Sequence, residues 1–199
     1  MATNAAALAP YDPAWSVKAE QQLTALTTAL ATCPGADCAA IDHIGSTSVP
    51  GLAAKPFIDL QARILPPPSE AALAARLTQL GYSRVRGSRP NSPGVYRDMP
   101  RGDEPVGDEV WEKRLFIAAD VPAILHFRRF DSPWGRYTVW FRDWLRAHPD
   151  ERVRYQRIKQ TLSEANRGKA DYDDYTLAKT AFFDEVQAAF ATWGAQHSV

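Results

Sequence analysis

The residues most suited to chemistry lie in one stretch of the chain, IDHIGSTSVPGLAAKPFIDL at 41–60. Gly45 allows a close approach of the backbone, and residues 46–48 are Ser, Thr and Ser, whose hydroxyls and amides can bind phosphate oxygens. Asp59 follows on a predicted strand, and its carboxylate suits Mg²⁺, a hard ion that binds carboxylates together with substrate phosphates. The segment therefore predicts a phosphate site beside a metal-binding carboxylate.

A structural interpretation of the same segment stays open. A tight small-residue turn with a helix-capping serine has the same composition, and composition alone favours that turn by about two to one. Two familiar motifs are missing from the sequence. Gly45, Gly51 and Lys55 do not fit the Walker pattern G-x4-G-K-[ST], and Ser46 is not in a G-x-S-x-G elbow.

Length and charge bound the class of protein. The chain has 199 residues, of which 45% are hydrophobic, and it carries 23 Lys plus Arg against 23 Asp plus Glu. One domain is expected at this length. A formal charge of zero argues against a protein that binds long nucleic acid through its summed charge.

Targeting signals are not evident in the sequence. No apolar stretch approaches the roughly 20 residues that span a bilayer, and the start, MATNAAALAP, has no basic region and too short an apolar run for a signal peptide. Cys33 and Cys38 are interpreted as small residues in a turn rather than as a disulfide. We therefore expect a cytoplasmic protein with no membrane partner.

Periodicity predicts the elements that position these residues. Strands are predicted at 39–44, 57–64, 82–86, 115–118 and 123–130, and helices at 13–32, 70–80, 134–148, 153–167 and 171–193. On the second strand Phe57, Asp59, Gln61 and Arg63 share one face. Residues 87–110, rich in Gly, Pro, Asp and Arg, are predicted to be a mobile loop. Residues 1–131 are thus expected to be α/β, and residues 132–199 to be helical.

Four motifs together resemble the GrpB family in their order and spacing: YDPAW at 11–15, the 41–60 segment, FRDWLRAHP at 141–149 and YTLAK at 175–179. The resemblance covers nearly the whole chain, and the first three motifs are specific. It implies a single α+β domain over 1–199, with a nucleotidyltransferase-like mixed β-sheet, flanking helices and a helical C-terminal region. The same domain occurs fused to dephospho-coenzyme A kinase in some bacteria.

The resemblance also assigns roles to residues of the segment. Gly45 and Ser46 match the Gly-Ser signature of the nucleotidyltransferase superfamily, and Asp59 matches the first carboxylate of its Asp-x-Asp/Glu pair. Gln61 stands at the second position, where GrpB proteins often lack an acid. Phosphoryl transfer with two metals needs several carboxylates to hold ions about 3.5–4 Å apart, and Asp59 alone does not meet that need.

A later strand supplies the other candidates. His126 matches one histidine of the family's His-x-His-like element, and Arg128 replaces the other. Asp59 and His126 are the predicted catalytic residues, and His43 joins them as a predicted metal ligand, with Mg²⁺ or Mn²⁺ expected ahead of Zn²⁺. A neutral, hydrogen-bonded imidazole on a half-buried strand is the alternative for each histidine.

Basic residues complete the predicted phosphate site. A guanidinium matches the geometry of phosphate, and Arg142 and Arg146 share one helical face. The alternative for such residues is a solvated face paired with neighbouring acids. The predicted ligand- and phosphate-binding residues are Gly45, Ser46, Thr47, Ser48, Lys55, Arg128, Arg142 and Lys179.

Three functions remain open at this point. The first is a nucleotidyltransferase-like protein that binds a nucleotide or related phosphate ligand and transfers a nucleotidyl group to a small acceptor with a divalent metal. The second is a catalytically degenerate nucleotide- or coenzyme A-binding module that supports a partner enzyme, which Gln61 favours. The third is a metal-dependent hydrolase that uses His43, Asp59 and His126.

Overall fold

The computed structural model describes residues 6–86, 94–102 and 105–197. Its strands are β1 (Ala40–Ile44), β2 (Ile58–Ile64), β3 (Tyr82–Arg84), β4 (Lys113–Ala118) and β5 (Ala123–Arg129). Its α-helices are α1 (Ala14–Leu30), α2 (Glu70–Leu77), α3 (Pro133–Ala147), α4 (Pro149–Ala165), α5 (Asp173–Ala178) and α6 (Thr180–His197). The predicted α+β class, with a mixed sheet and a helical C-terminal region, is confirmed.

The five strands form one sheet in the order β1-β2-β5-β4-β3. Strands β2 and β5 run parallel, and the other neighbours run antiparallel. In this register Gln61 lies between Asp42 on one side and His126 on the other. Because side chains alternate along a strand, Asp59, Gln61 and Arg63 share a face with His126 and Arg128.

The opposite face of the sheet is apolar and packs against α1 and α2. Ile58, Leu60 and Leu125 are buried there against Leu26 and Leu30 of α1. The Ala14 amide donates to Asp12 Oδ1 at 2.9 Å, which satisfies one of the free N–H groups at the start of α1. Ser69 caps α2 by accepting from the Ala72 amide, as predicted.

The polar face is covered by the C-terminal helices, which have an aromatic core of their own. Gly135 of α3 lies so close to the sheet that a β-carbon there would collide with the side chain of Arg63. The buried residues of this second core are Val49, Leu52, Tyr137, Trp144, Leu145, Tyr155, Phe182, Phe183, Val186 and Phe190. The spacing of the aromatic residues therefore marks the core of a helical layer.

Two expectations differ from the structure. The helix predicted at 171–193 is divided into α5 and α6, with Lys179 between them. In the segment predicted as a loop, residues 87–93 and 103–104 lie outside the described residues. Part of the remainder is ordered, since Arg97 pairs with Glu112 in an isolated bridge and Asp108–Trp111 forms a 3₁₀ turn. Within the described ranges, we find no helix long and apolar enough to cross a membrane.

Candidate functional site

A cavity of about 620 Å³ lies between the polar face of the sheet and the C-terminal helices. Several residues predicted from the sequence line it together, although they come from separate elements. These are Gly45, Ser46, Lys55, Asp59, His126, Arg128 and Lys179. Thr47, Ser48, His43 and Arg142 are not among its lining residues.

The turn after β1 brings Asp59 against the backbone of Gly45. Gly45 has a φ of 70°, and a β-carbon at this position would collide with the Asp59 carboxylate. Glycine is therefore needed both for the backbone conformation and for the close approach. Thr47 and Ser48 are buried inside the turn, where the Ser48 hydroxyl donates to the Gly45 carbonyl at 2.6 Å. Of the three consecutive hydroxyl residues, Ser46 is the one that lines the cavity.

Asp59 and His126 form a pair at the sheet surface. Asp59 Oδ1 lies 3.6 Å from His126 Nε2. Burial lowers the pKa of His126 to about 4, helped by the charges of Lys113 and Arg128 and opposed by Asp59. Burial acts to raise the pKa of Asp59, but His126, Lys179 and Lys55 outweigh it, so that this pKa lies below its usual value. Asp59 is thus ionised and His126 neutral near pH 7.

The third predicted metal ligand, His43, is not brought to this pair. Its neighbour in the sheet is Leu60, on the opposite face from Asp59, and its Nε2 lies 3.0 Å from Thr47 Oγ1. Burial lowers the pKa of His43 to about 4. Within residues 6–86, 94–102 and 105–197, no group of three or more His, Cys, Asp or Glu side chains is arranged to hold a metal ion.

Gln61 occupies the position of the second acid, and its side-chain amide is fully hydrogen bonded. Its Nε2 donates to Asp42 Oδ2 at 3.1 Å and to the Gly135 carbonyl at 3.0 Å. Its Oε1 accepts from Arg128 at 3.2 Å and from Thr138 at 3.0 Å. A buried amide satisfied in this way joins the sheet to α3. Gln61 is therefore a structural residue of the layer below the cavity.

Arg128 is held by a buried acid that sequence reasoning missed. Arg128 Nε donates to Asp98 Oδ2 at 2.6 Å, and Lys113 Nζ lies 3.2 Å from Asp98 Oδ1. Burial acts to raise the pKa of Asp98, but the charges of Arg128 and Lys113 bring it well below its usual value. Neighbouring residues in the sequence did not indicate a role for Asp98 or Lys113. The ion pairs of Asp98 join a loop to two strands that are distant in the chain.

Three lysines reach the cavity from separate elements. Lys55 Nζ lies 3.2 Å from the centre of the Tyr172 ring, and Lys179 Nζ lies 5.0 Å from that of Tyr175. Burial and, less strongly, the charge of Lys179 lower the pKa of Lys55 to about 8, against the opposing charges of Asp59 and Asp173. Burial together with Lys179 also brings the pKa of Lys159 well below its ordinary value.

Lys159 is the second functional candidate that the sequence analysis did not place in the site. It is 1% exposed, and its Nζ donates to the Ala53 carbonyl. A signal was available, because Tyr155, Lys159 and Ser163 recur every four residues on α4 and are the buried positions of that helix. A lysine on a buried helical face is unusual enough to single out.

Arg142 and Arg146 of α3 donate hydrogen bonds to the backbone of the 41–48 segment. Arg142 Nη1 donates to the His43 carbonyl at 2.9 Å, and its other nitrogens bind Asp143. Arg146 donates to the Ser48 carbonyl at 2.7 Å. Arg142, which was predicted to bind phosphate, therefore holds the backbone of β1, and Arg146 on the same helical face holds the turn that follows it.

Comparison with known proteins places the chain in a family. The model of the GrpB protein family matches residues 5–189. A UPF0157 protein of Pseudomonas aeruginosa is 36% identical over 187 residues, covering 90% of this chain and 63% of that protein. A UPF0157 protein of Halalkalibacterium halodurans is 30% identical, covering 90% of this chain and 79% of that protein.

A longer relative and a solved structure extend the comparison. A protein of Mycolicibacterium paratuberculosis named dephospho-CoA kinase is 30% identical over 94% of this chain, which spans 46% of that protein. The crystal structure of the conserved protein GrpB from Enterococcus faecalis matches with a TM-score of 0.67 and 25% identity. That match covers 94% of this chain and 99% of the other. The predicted resemblance is confirmed, and the chain belongs to the GrpB family.

Proposed function

We propose that this protein binds a small phosphate-containing molecule of the nucleotide or coenzyme A class in the cavity above Asp59. The observation that carries this proposal is the convergence of Ser46, Lys55, Lys159 and Lys179 on one cavity of about 620 Å³. The size suits a ligand of that class, since small-molecule sites occupy about 300–1,000 Å³.

The cavity is lined by both charged and apolar side chains. Lysine ammonium groups attract phosphate as point charges, and Ser46 adds a hydroxyl beside them. The lining also includes Leu115 of the sheet and Phe141 and Phe183 of the covering helices, which suit the less polar part of a ligand. A site of this kind fixes one end of a molecule by charge and buries the rest against apolar side chains.

The names of relatives agree with this class of ligand. Some of them are named dephospho-CoA kinase, and this chain spans about half of their length. The similarity of this chain to part of proteins with that name supports the proposal that it binds a related phosphate compound. Gln61 supports a binding role over two-metal transfer, because its amide is committed to four hydrogen bonds.

A second candidate function is transfer of a nucleotidyl group with one divalent ion. The observation that favours it is Asp59, an ionised carboxylate that lines the cavity beside Gly45 and Ser46. Asp59, with His126 beside it, would hold Mg²⁺ or Mn²⁺ while oxygens of the ligand's phosphates complete the coordination. Such an ion would supply charge stabilisation for the phosphoryl group. In both functions Lys55 and Lys179 hold the phosphate.

Calorimetric titration of the purified protein with ATP, CTP and coenzyme A, in EDTA and then in Mg²⁺ or Mn²⁺, tests the binding function. We expect at least one of them to bind in EDTA, with binding weakened more than tenfold in the variant Lys55→Gln/Lys179→Gln. Lys18→Gln, an exposed lysine on α1 beyond the opposite face of the sheet, is the matched control. The absence of binding by all three compounds under every condition would contradict the proposal.

The variant Asp59→Asn distinguishes the transfer function from the binding function. Asn keeps the shape of the side chain but loses the charge that holds a divalent ion. If the protein transfers nucleotidyl groups, the α-phosphorus of a bound nucleotide passes to the hydroxyl of an added small acceptor or to water as pyrophosphate leaves, and this release of pyrophosphate requires Mn²⁺ or Mg²⁺ and disappears in this variant. If the protein is a binding module, neither form releases pyrophosphate, and the ligand still binds to the variant in EDTA.

A further inference from the structure

We propose that the ligand of this cavity carries an aliphatic arm next to its phosphate, and that a patch of aliphatic side chains on the sheet binds this arm. The inference rests on the proposed function and narrows its ligand, because coenzyme A has such an arm and a simple nucleotide does not. It follows from the arrangement of apolar and polar side chains across the cavity floor.

The aliphatic patch consists of four half-buried residues on neighbouring strands, Val85, Leu115, Ile117 and Ile124. Ile117 of β4 and Ile124 of β5 are partners in the register of the sheet. The Leu115 carbonyl accepts from the amide of Val85, directly after β3, at 2.8 Å. All four residues line the cavity. The patch therefore extends over three strands, about 10 Å across the sheet.

The aliphatic patch belongs to neither hydrophobic core. Within the described part of the chain, none of its members is in the core against α1 and α2 or in the aromatic core of the C-terminal helices. Phe116 and Leu125, which alternate with them along β4 and β5, are fully buried in the first core. Two of the large exposed apolar residues, Met99 and Leu177, line the same cavity. The patch is thus an apolar surface left for a ligand.

The aliphatic patch begins beside the polar residues of the cavity. Ile124 is the partner of Asp59 in the register of β2 and β5, one strand spacing or about 5 Å away. Lys55 shortly precedes Asp59 in the chain, and Lys55 Nζ and Lys179 Nζ lie 5.8 and 5.0 Å from the centre of the same Tyr175 ring. A molecule whose phosphate is held by these two lysines can therefore lay its arm across the patch.

Recognition of a nucleobase calls for groups that the aliphatic patch does not supply. Among the described residues that line the cavity there is no Asn or Gln, the side chains that pair with adenine through two hydrogen bonds. Asp171 and Asp173 line it too, but they belong to the helical wall at the start of α5.

The aromatic rings of the lining are largely engaged as well. A base stacks on an open ring face, but all of these rings except Phe57 already pack against another ring or a lysine. The engaged rings are those of Trp134, Phe141, Tyr155, Tyr172, Tyr175 and Phe183. An aliphatic arm therefore suits the cavity floor better than a base does.

A series of alkyl phosphates tests this proposal, because its members share one phosphate and differ only in the arm. In NMR titrations of the protein in EDTA, we expect affinity to rise from methyl to butyl to hexyl phosphate. The rise should be at least twofold for each added methylene, where full burial gives about fourfold. Hexyl phosphate should bind at least tenfold more tightly than adenosine 5′-monophosphate, which carries the same phosphate on a nucleoside.

Substitutions separate binding of the arm from binding of the phosphate. Ile117→Thr/Ile124→Thr keeps branched side chains but makes the patch polar. We expect this variant to weaken hexyl phosphate at least fivefold and methyl phosphate less than twofold. Lys55→Gln/Lys179→Gln should instead weaken both compounds by a similar factor, because both carry the phosphate.

A second patch variant and a matched control complete the experiment. Val85→Thr changes polarity with almost no change in shape, and it replaces the double variant if that variant does not fold. We expect it to weaken hexyl phosphate at least twofold. Val17→Thr makes the same change on α1, at a side chain that is 57% exposed beyond the opposite face of the sheet, and should leave every affinity unchanged.

The outcomes separate this inference from the proposed function. Affinities that do not depend on arm length, but are all weakened by Lys55→Gln/Lys179→Gln, would overturn the aliphatic inference and leave the phosphate site in place. Tighter binding of adenosine 5′-monophosphate than of hexyl phosphate would do the same. A rise with arm length that is unchanged in both patch variants would show that the arm binds elsewhere, and would overturn the inference. Failure of every phosphate compound to bind would overturn both proposals.

Discussion

The two faces of the sheet are built from the same strands but are stabilised in different ways. Leu60 and Leu125 are completely buried on the face that meets α1 and α2, where packing alone is sufficient. Gln61 and Arg128 are equally buried on the other face, where each needs hydrogen-bonding or charged partners. The comparison shows that the polar face supports the cavity floor through a specific network, which is more sensitive to the loss of one member than an apolar core is.

The largest effect is expected from breaking the ion pairs of the polar face. Asp98→Asn would leave Arg128 and Lys113 buried without their counter-charge, and should lower the free energy of unfolding by about 3–5 kcal/mol. Urea denaturation followed by circular dichroism measures it. Asp108→Asn, which removes an exposed partner of Arg97, is the control and should leave the midpoint almost unchanged. Similar midpoints for both variants would contradict the importance of the buried network.

The matching change on the apolar face is Leu60→Ala. Leu60 is completely buried between the helices and the neighbouring strands, and its truncation should lower the free energy of unfolding by about 2–5 kcal/mol through lost burial and the remaining cavity. We expect affinity for the phosphate ligand to be unchanged in the folded protein, because Leu60 points away from the site. A large loss of affinity at full folding would show that the two faces are coupled.

Acid should weaken the fold through two half-buried histidines. The pKa values of His43 and His126 are about 4 in the folded protein, whereas an unfolded chain binds a proton near pH 6.5. Between these values the unfolded state binds more protons, so stability is complete above pH 6.5 and falls as the pH approaches 4. The expected slope is about 1.4 kcal/mol per pH unit for each histidine.

Urea midpoints measured from pH 7 to pH 4 test this dependence, with His126→Gln as the comparison. The variant should show a shallower slope than the parent protein, because one half-buried imidazole with a lowered pKa has been removed. NMR titration of the imidazole protons provides a direct check. A resonance of His126 that titrates near pH 6.5 in the folded protein would contradict the burial assigned to this side chain.

A smaller effect is expected from restoring the missing acid. Gln61→Glu replaces the amide donor to Asp42 and Gly135 with a carboxylate oxygen, and should lower the free energy of unfolding by about 1–3 kcal/mol. It should not create metal-dependent release of pyrophosphate, because position 61 does not line the cavity. Gln61→Met serves as a control that removes the hydrogen bonds without adding charge. Appearance of metal-dependent transfer in Gln61→Glu would show that this position does reach the ligand.

Much of the fold was predictable because its signals are local. The alternation of residues 57–64 placed Asp59, Gln61 and Arg63 on one face of β2, as the register shows. The proline run after that strand and the Ser69 cap located the start of α2. In the structure, the helix predicted at 171–193 is divided into α5 and α6 near Lys179. This break was not predicted, because no Gly or Pro lies near it in the sequence.

The sequence alone determined that Gly45, Ser46 and Asp59 belong to one segment, and four motifs in order were enough to identify the family. The tertiary structure decided which residues line the cavity. Thr47, Ser48 and Arg142 have suitable chemistry but bind within the turn or to nearby backbone, while Lys159 reaches the cavity from α4, about a hundred residues beyond the turn in the chain. Residue type and spacing report what a side chain can do along its own element, whereas its partners across the molecule depend on how strands and helices pack.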